Sequence, residues 1–234
     1  MMDMKHLSLL LGVALLAASC TFSFPVNIVR GNGTAAEKTF EVGEFNSVSL
    51  VGSLDVIFAQ SDEDHSVVLH TDENLIDDYR IEVKGDVLVI STKPGVSVSP
   101  KALSYVSVSA PMLREASITG SGDLVFKGDL KVDGPLGFSV TGSGDIDAGA
   151  VACKQFAVKV SGSGDIDAGP VTAEDMSLTI SGSGDIAMEL SGAGDVSAKI
   201  SGSGDITLLG SARSLNSRVS GSGDIHSNGL SLKK

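Results

Sequence analysis

The sequence predicts an all-β fold: a parallel β-helix, or a closely related β-solenoid, with rungs of about 20 residues. The first observation behind this prediction is a Gly-Ser-Gly-Asp motif, with Ala in place of Ser in one copy, that recurs through the C-terminal half of the chain. Most copies are separated by about 20 residues, and one falls at half that spacing. The motif aspartates are Asp123, Asp145, Asp165, Asp185, Asp195, Asp205 and Asp224.

The second observation is that apolar residues between the motifs alternate with a period of two, which is typical of strands with one buried face. Phe156, Val158 and Val160 alternate in this way with polar neighbours such as Lys159, and the motif glycines share the inward parity. Helix signals are nearly absent, and the Gly-Ser-Gly-Asp motif supplies corners. Stacked coils about 4.8 Å apart would bury a continuous core. A β-sandwich is the competing fold, but near-identical turns at one period favour the solenoid.

The first 19 residues have the pattern of a secretion signal. Lys5 and His6 precede an apolar run at 7–17, which is too short to span a bilayer as a helix. The Ala-Ala-Ser-Cys sequence at 17–20 resembles a bacterial lipobox, in which the cysteine carries lipid and becomes the mature N-terminus. We therefore predict lipidation at Cys20 and attachment to a membrane through that anchor. An ordinary signal peptide cut near Ala18 is the alternative.

The remaining chain is expected to contain a tether at residues 20–37 and a single β-helix-like domain at residues 38–230. Within that domain we expect irregular rungs at 38–115 and regular Gly-Ser-Gly-Asp rungs at 116–230. The segment 50–56 is a worn copy of the motif, in which Asp55 matches the motif aspartate and Leu54 replaces the second glycine.

Two features of the C-terminal end give further expectations. The last unit is one residue short, which predicts a deletion in a turn between Leu209 and Asn216. Residues 230–234 end in two lysines, which we expect to blunt the last strand edge.

Several features in this order resemble the DUF2807 family, named as putative auto-transporter adhesin, head GIN domains. They are the lipoprotein signal, Phe-Asn-Ser-Val-Ser-Leu-Val-Gly-Ser-Leu-Asp-Val at 45–56, Asp-Glu-Asn-Leu at 72–75, Ala-Pro-Met-Leu at 110–113, and the train of Ser-Gly-Ser-Gly-Asp-Ile units. The resemblance covers about residues 40–226. It implies a right-handed parallel β-helix. It implies no established activity and no catalytic positions, and a shared fold does not by itself give function.

The stacked motif aspartates need hydrogen-bond donors or cations that offset the repulsion between their carboxylates. Carboxylates stacked about 4.8 Å apart repel by about 0.9 kcal/mol per neighbouring pair in water. We favour a role in which each side chain accepts N–H bonds from its own turn, and bridging cations are the alternative. The motif differs from the calcium-binding nonapeptide of RTX rolls in its period and in one missing residue. The calcium hypothesis concerns Asp145, Asp165, Asp185 and Asp205.

Catalytic signatures are weak. His65, His70 and His226 are far apart in sequence, and neither a Gly-x-Ser-x-Gly elbow nor a His-Glu-x-x-His pair occurs. If Cys20 carries lipid, Cys153 is left without a disulfide partner, and we interpret it as a small, partly buried residue. We therefore expect neither an enzyme nor a cofactor. A carbohydrate-active β-helix enzyme is one alternative and a calcium-stabilised β-roll is another.

The net charge of −12 argues against a nucleic-acid partner, because such a field repels phosphates. The sequence therefore predicts an exported, lipid-anchored, non-catalytic protein of the cell envelope. We expect it on the outer membrane, facing either the periplasm or the surface. Its role would be that of an adhesin-like binding or structural module with a glycan or protein ligand.

Overall fold

The structure is a computed structural model that describes residues 27–62 and 65–233. Strands dominate it, and a 3-10 helix spans Glu73–Asp78. The strands that precede the first Gly-Ser-Gly-Asp motif are β1 (Asn27–Arg30), β2 (Ala35–Thr39), β3 (Ser47–Gly52), β4 (Asp55–Gln60), β5 (Ser66–Asp72), β6 (Tyr79–Lys84), β7 (Val87–Thr92), β8 (Val96–Ser99), β9 (Tyr105–Ala110) and β10 (Glu115–Gly120). The strands that follow are β11 (Leu124–Lys127), β12 (Leu130–Lys131), β13 (Pro135–Gly142), β14 (Ile146–Ala148), β15 (Val151–Gly162), β16 (Ile166–Ile180), β17 (Ile186–Ile200), β18 (Ile206–Val219) and β19 (Ile225–Leu232).

The coils are three-sided, and successive coils pair in parallel on each side. The first stack contains β7, β3, β10 and β13, then the C-terminal parts of β15, β16, β17 and β18. The second stack contains β9, β4, β11 and β14, then the N-terminal parts of β16, β17, β18 and β19. The third stack contains β12, the start of β15, the middle of β16, β17 and β18, and the end of β19. The predicted solenoid is confirmed.

The core follows the period-two alternation. Val140, Val160, Ile180 and Ile200 occupy equivalent positions in successive coils of the first stack and are at most 1% exposed. Every backbone group between two coils can pair above and below, so a thin aliphatic core is enough to hold the stack.

The worn motif copy forms a regular rung. Leu50 pairs with Ile118 and Val56 pairs with Leu124, in the register that the alignment predicts. The order in space differs from the order in sequence, because β3 lies between β7 and β10 and β4 lies between β9 and β11. The coil formed by β7 and β9 therefore lies on one side of the coil formed by β3 and β4, and the regular coils lie on the other side.

Part of the region predicted as irregular rungs is an antiparallel extension of the sheets instead. β5 runs antiparallel to β9, β2 to β5, and β6 to β7. The Lys84-Gly85-Asp86 segment is the hairpin turn between β6 and β7, where Gly85 has a φ of 65°. Leu75 of the 3-10 helix is fully buried, so this N-terminal extension covers the end of the core.

The tether predicted for residues 20–37 is too long. Residues 27–30 form β1, which pairs in parallel with β8, and β2 begins at Ala35. Backbone pairing with segments far along the chain therefore draws these residues into the fold. The predicted signal at residues 1–19 and Cys20 lie outside the described residues.

The one-residue shift of the last unit is where the sequence predicts it. Ser191 pairs with Ser211 and Ala193 pairs with Ala212, so Gly192 is the extra residue of the earlier coil. A single bulge accommodates the deletion, so that the later apolar residues again point into the core.

The glycines of the motif are required by the close approach of successive coils. A Cβ on Gly164 would lie 2.0 Å from the carbonyl oxygen of Gly144 and 2.9 Å from Cγ1 of Val140. Gly184 and Gly204 would meet the preceding coil in the same way, at 2.0 and 1.9 Å. Rotation of a side chain cannot relieve a contact with backbone, so the coils themselves would have to separate.

Substitution of Gly164 by Ala should therefore destabilise the protein by about 2 kcal/mol or more, as overpacking at a backbone contact does. The measurement is urea unfolding followed by circular dichroism. Gly43→Ala is the matched control, because Gly43 is exposed and a Cβ added there would meet no atom within 4 Å. Equal stabilities of the two variants would contradict the close-approach explanation.

Candidate functional site

The motif aspartates form one column at the corner between the first and second stacks, which we call the corner ladder. Its members are Asp55, Asp123, Asp145, Asp165, Asp185, Asp205 and Asp224. From Asp123 onward, the backbone N–H of each donates to Oδ1 of the aspartate one coil earlier, at N–O distances from 2.7 to 3.0 Å. The carboxylates are thus tied to the stacking of the coils.

This arrangement corrects the expected hydrogen-bond partner. The favoured prediction is that each carboxylate accepts N–H groups from its own turn, but the donor is the aspartate of the next coil. Sequence spacing shows that the aspartates stack, but it does not show which way each side chain turns. At these glycine-rich corners, each aspartate side chain points toward the next coil and not back to its own turn.

The backbone around the ladder is bonded to both neighbouring coils. Ile166 N donates to Asp185 O at 3.0 Å, while Ser183 N and Gly184 N donate to Gly162 O at 2.8 and 3.2 Å. The same pattern repeats at the equivalent positions of the other regular coils. A charge-assisted bond from N–H to carboxylate is stronger than a neutral one, so it offsets part of the repulsion between stacked carboxylates.

Asp195 lies away from the ladder, at the turn between the third and first stacks, as its half-period spacing predicts. It is in register with Asp175 of the previous coil and Ser214 of the next. Arg213 donates from Nε to Oδ1 at 2.9 Å and from Nη2 to Oδ2 at 2.6 Å, and Ser214 Oγ donates to Oδ1 at 2.7 Å. These bonds lower the pKa of Asp195 to about 2.

The second stack is strongly acidic beside the ladder. Asp147 and Asp167 pair in register on its outer face, two positions beyond Asp145 and Asp165 along the chain. Partial burial, followed by the charges of the neighbouring aspartates, raises the pKa of Asp167. The excess of negative charge on this face is therefore not fully balanced by local donors.

The calcium hypothesis stays a prediction. Within residues 27–62 and 65–233, no group of three or more His, Cys, Asp or Glu side chains is placed to hold a metal ion. In the ladder, one oxygen of Asp145, Asp165 and Asp185 already accepts a backbone N–H. A cation would have to bind between the remaining oxygens of successive coils.

Cys153 has the properties of a structural residue. Its thiol is partly buried, and burial raises its pKa to about 11. A thiol with such a pKa is almost entirely protonated at neutral pH, and the thiolate is the nucleophilic form. The shallow groove beside it, about 470 Å³, is also lined by Glu174, Asp175 and Arg213, but the guanidinium of Arg213 is held by Asp195.

The histidines lie apart and have separate partners. His65 Nε2 is 2.8 Å from Phe45 O, and His70 Nδ1 is 3.1 Å from Glu37 Oε1. His226 Nε2 is 3.5 Å from Oδ2 of Asp205, at the end of the ladder. His70 Nε2 also lies 3.4 Å from Ser107 Oγ, so Glu37, His70 and Ser107 form a carboxylate–histidine–serine chain. The serine contact is at the long limit of a hydrogen bond and the Glu37 side chain is 71% exposed, so the serine is weakly coupled to its base.

Asp72 organises the N-terminal extension, a role that sequence reasoning missed. Its carboxylate is fully buried and accepts N–H bonds from Gly33, from Lys101 at 2.8 Å and from Ala102 at 3.0 Å. Burial alone would raise the pKa of Asp72, but these three amides and the Lys101 charge lower it. The position of Asp72 at the start of a polar turn is the one sequence signal for this role.

A cleft lies between the first coil and the segment 98–104, and we call it the uncharged cleft. Its volume is about 250 Å³, and Val51, Leu54, Tyr79, Val98 and Leu103 are among its lining residues. Every residue that lines it is uncharged, in a protein of net charge −12. Leu103 is 82% exposed at its rim. Such a cleft suits a neutral ligand with an apolar face.

Comparison with known proteins gives one family and several similar structures. The family model described as DUF2807, "Putative auto-transporter adhesin, head GIN domain", matches residues 44–232. A putative adhesin structure from Bacteroides fragilis has a TM-score of 0.70 at 21% identity, over 85% of this chain and 99% of that one. A putative lipid binding protein from Parabacteroides distasonis has a TM-score of 0.61 at 22% identity, over 86% and 99%. A putative adhesin from Parabacteroides merdae has a TM-score of 0.58 at 20% identity, over 86% and 98%.

These structural likenesses establish the fold. A search of the curated proteins found no match. In the part of the chain that the structure describes, no helix has the length and apolar character needed to cross a bilayer.

The acidic face predicts a specific dependence of stability on pH. Because the folded protein raises the pKa of Asp167, its ionised form is unfavourable above that pKa, and acidification relieves the penalty. Asp167→Asn should therefore raise the melting temperature near neutral pH, and its advantage should shrink toward about pH 4.

The measurement is thermal unfolding of wild type and variant across this pH range. Asp129→Asn, which removes an exposed carboxylate outside the acidic face, is the control and should give a smaller change. A lower melting temperature for Asp167→Asn at neutral pH would show that the carboxylate is stabilising, contrary to this explanation.

Proposed function

Because the chain belongs to the DUF2807 family, described as "Putative auto-transporter adhesin, head GIN domain", we propose that it is an exported, lipid-anchored protein of the cell envelope. In this proposal it is a non-catalytic, adhesin-like binding module on the outer membrane. Lipid on Cys20 would hold it there, seven residues ahead of Asn27, the first residue of β1. Two or more acyl chains on one cysteine would make the attachment stable.

The observation that carries the proposal is the repeating polar surface on the outside of the regular coils. Ser, Thr and Asp side chains recur in columns at the same positions of successive coils, as Thr141, Ser161 and the corner ladder illustrate. Backbone bonds hold these columns at a fixed spacing. A rigid, repeating polar surface suits presentation and contact better than chemistry, which needs a few convergent groups in a cavity.

Charge and shape indicate where a ligand would bind. The net charge of −12 would repel acidic ligands at most of the surface. The uncharged cleft is the place where a neutral group could bury an apolar face against Val51 and Leu103 while it hydrogen-bonds to Ser53, Thr92 or Ser104. One similar structure is named a putative lipid binding protein, and a neutral ligand with apolar character is compatible with that name.

Anchoring is tested by expressing the full chain in a diderm bacterium with labelled palmitate. Wild type should incorporate label and sediment with membranes, whereas Cys20→Ala should do neither. Cys153→Ala is the control, because it removes the other cysteine and should leave both properties intact. Label in the Cys20→Ala protein, or its retention in the membrane fraction, would contradict lipid attachment at Cys20.

Ligand binding is tested on a glycan array with the chain that lacks residues 1–20. We expect binding to neutral glycans in preference to sialylated or sulfated ones, since the acidic field disfavours anions. Binding should weaken in Leu103→Glu, which places a charge at the rim of the uncharged cleft, and should persist in Leu209→Glu, which changes an exposed leucine elsewhere. A preference for anionic glycans would contradict the assignment.

A further inference from the structure

Within residues 27–62 and 65–233, the last coil of the solenoid has a neighbouring coil on one side only. In the coil before last, Ile200 is fully buried and Ala212 is 1% exposed. Their partners one coil later are Val219, which is 43% exposed, and Leu232, which is 54% exposed. Leu215, Ile225 and Leu230 of the last coil are only partly buried. These inward-facing positions lose their cover because, among the described residues, no coil stacks beyond them.

The backbone at this end is also unpaired on one side. Residues 214–219 of β18 pair with β17 alone, and β19 pairs with β18 alone, within the described part of the chain. The two lysines at the terminus are expected to blunt this edge, but Lys233 follows the third stack only, and residues 214–219 on the first stack carry a single charge, that of Arg218. Only another strand could both cover the apolar ring and pair with these backbone groups.

The opposite end differs in both respects. Leu75, Tyr79 and Ile81 fill the N-terminal end of the core and are at most 8% exposed. The edge strands of the main sheet there, β2 and β6, are charged: they carry Glu37, Lys38, Arg80, Glu82 and Lys84. Charged edges oppose strand addition. A head-to-tail contact between two copies would therefore join an open end to a protected one.

The charge distribution favours contact between two C-terminal ends. Residues 214–233 contain Arg218 and Lys233 against a single acidic residue, Asp224, whereas the whole chain has a net charge of −12. Two copies of an acidic protein repel least where the local charge is slightly positive or near zero. The last coil is such a place, and it coincides with the open core.

We propose that the last coil, residues 214–232, binds the last coil of a second copy of this chain. A two-fold axis perpendicular to the solenoid would bring the same surface of both copies together, so the contact is closed and ends at a dimer. Reversal of one solenoid relative to the other makes the facing edge strands antiparallel, which allows backbone pairing across the junction. The two rings formed by Leu215, Val219, Ile225 and Leu232 then cover each other.

This contact has a consequence that rests on the proposed lipid anchor. Asn27, where the described chain begins, bonds to Gly95 in the N-terminal extension, far from the last coil. The ladder from Asp55 to Asp224 advances by six steps of about 4.8 Å, so the two N-terminal extensions of a dimer lie roughly 60 Å or more apart at opposite ends. Anchors at both ends would sit in two facing membranes, and the dimer would be a homophilic contact between surfaces.

The interface is tested in solution, without any anchor, by sedimentation velocity of the chain that lacks residues 1–20. Wild type should show a monomer–dimer equilibrium, and Val219→Lys should raise the dissociation constant by at least about tenfold, since it buries unpaired charges at the junction. Val125→Lys is the matched control, because it makes the same substitution at an exposed valine of β11, away from the last coil, and should leave the equilibrium unchanged. Circular dichroism would establish that each variant is folded.

A wild-type protein that stays monomeric at several hundred micromolar would overturn the interface, as would a Val219→Lys protein that dimerises like wild type. The bridging step is tested with vesicles that contain nickel-chelating lipid and carry the chain by an N-terminal histidine tag. Wild type should aggregate the vesicles and Val219→Lys should not. A dimer in solution without vesicle aggregation would overturn the bridging step alone, and loss of lipidation at Cys20 would leave the dimer itself intact.

Discussion

The close approach of successive coils at the Gly-Ser-Gly-Asp corner governs the rest of the structure. At the ladder corners, a Cβ on the glycine before the aspartate would meet the backbone of the preceding coil, as at Gly164, where the carbonyl oxygen of Gly144 would be 2.0 Å away. Only glycine permits this approach, and the approach allows Ser183 N and Gly184 N to share one carbonyl acceptor on Gly162. The corner fixes the register, and the register places Ile and Val side chains above one another in the core.

The same corner determines the surface. Stacking forces the ladder carboxylates into a column, and the backbone N–H of the next coil partly neutralises each of them. Like charges nevertheless accumulate on the second stack, where burial and neighbouring aspartates raise the pKa of Asp167. Backbone pairing and aliphatic burial therefore provide most of the stability of this solenoid. They outweigh the repulsion between the aspartates on the second stack.

Periodicity makes the regular part of the fold predictable, because a coil that repeats every 20 residues has neighbours at known offsets. The worn copy around Asp55 and the deletion beside Ser211 follow from the same alignment. The alignment does not predict the spatial order of the first coils. Strand β3 pairs with β7, which comes later in the chain, and no local sequence pattern specifies this pairing. The role of Asp72 is hidden for the same reason: its partners Gly33 and Lys101 are distant in sequence, and no repeat relates them.

If the corner holds the coils together, its amides should belong to the most stable part of the structure even though the aspartate side chains are exposed. Hydrogen exchange of the backbone amides of Asp145, Asp165 and Asp185, followed by NMR, tests this most directly. If each amide is bonded to the carboxylate of the preceding coil, it should exchange only through opening of the stacked coils, with protection close to that of the core amides of Val160 and Ile180. Exchange at the rate of exposed loops would mean that these bonds do not hold the coils together, and it would contradict the central role of the corner.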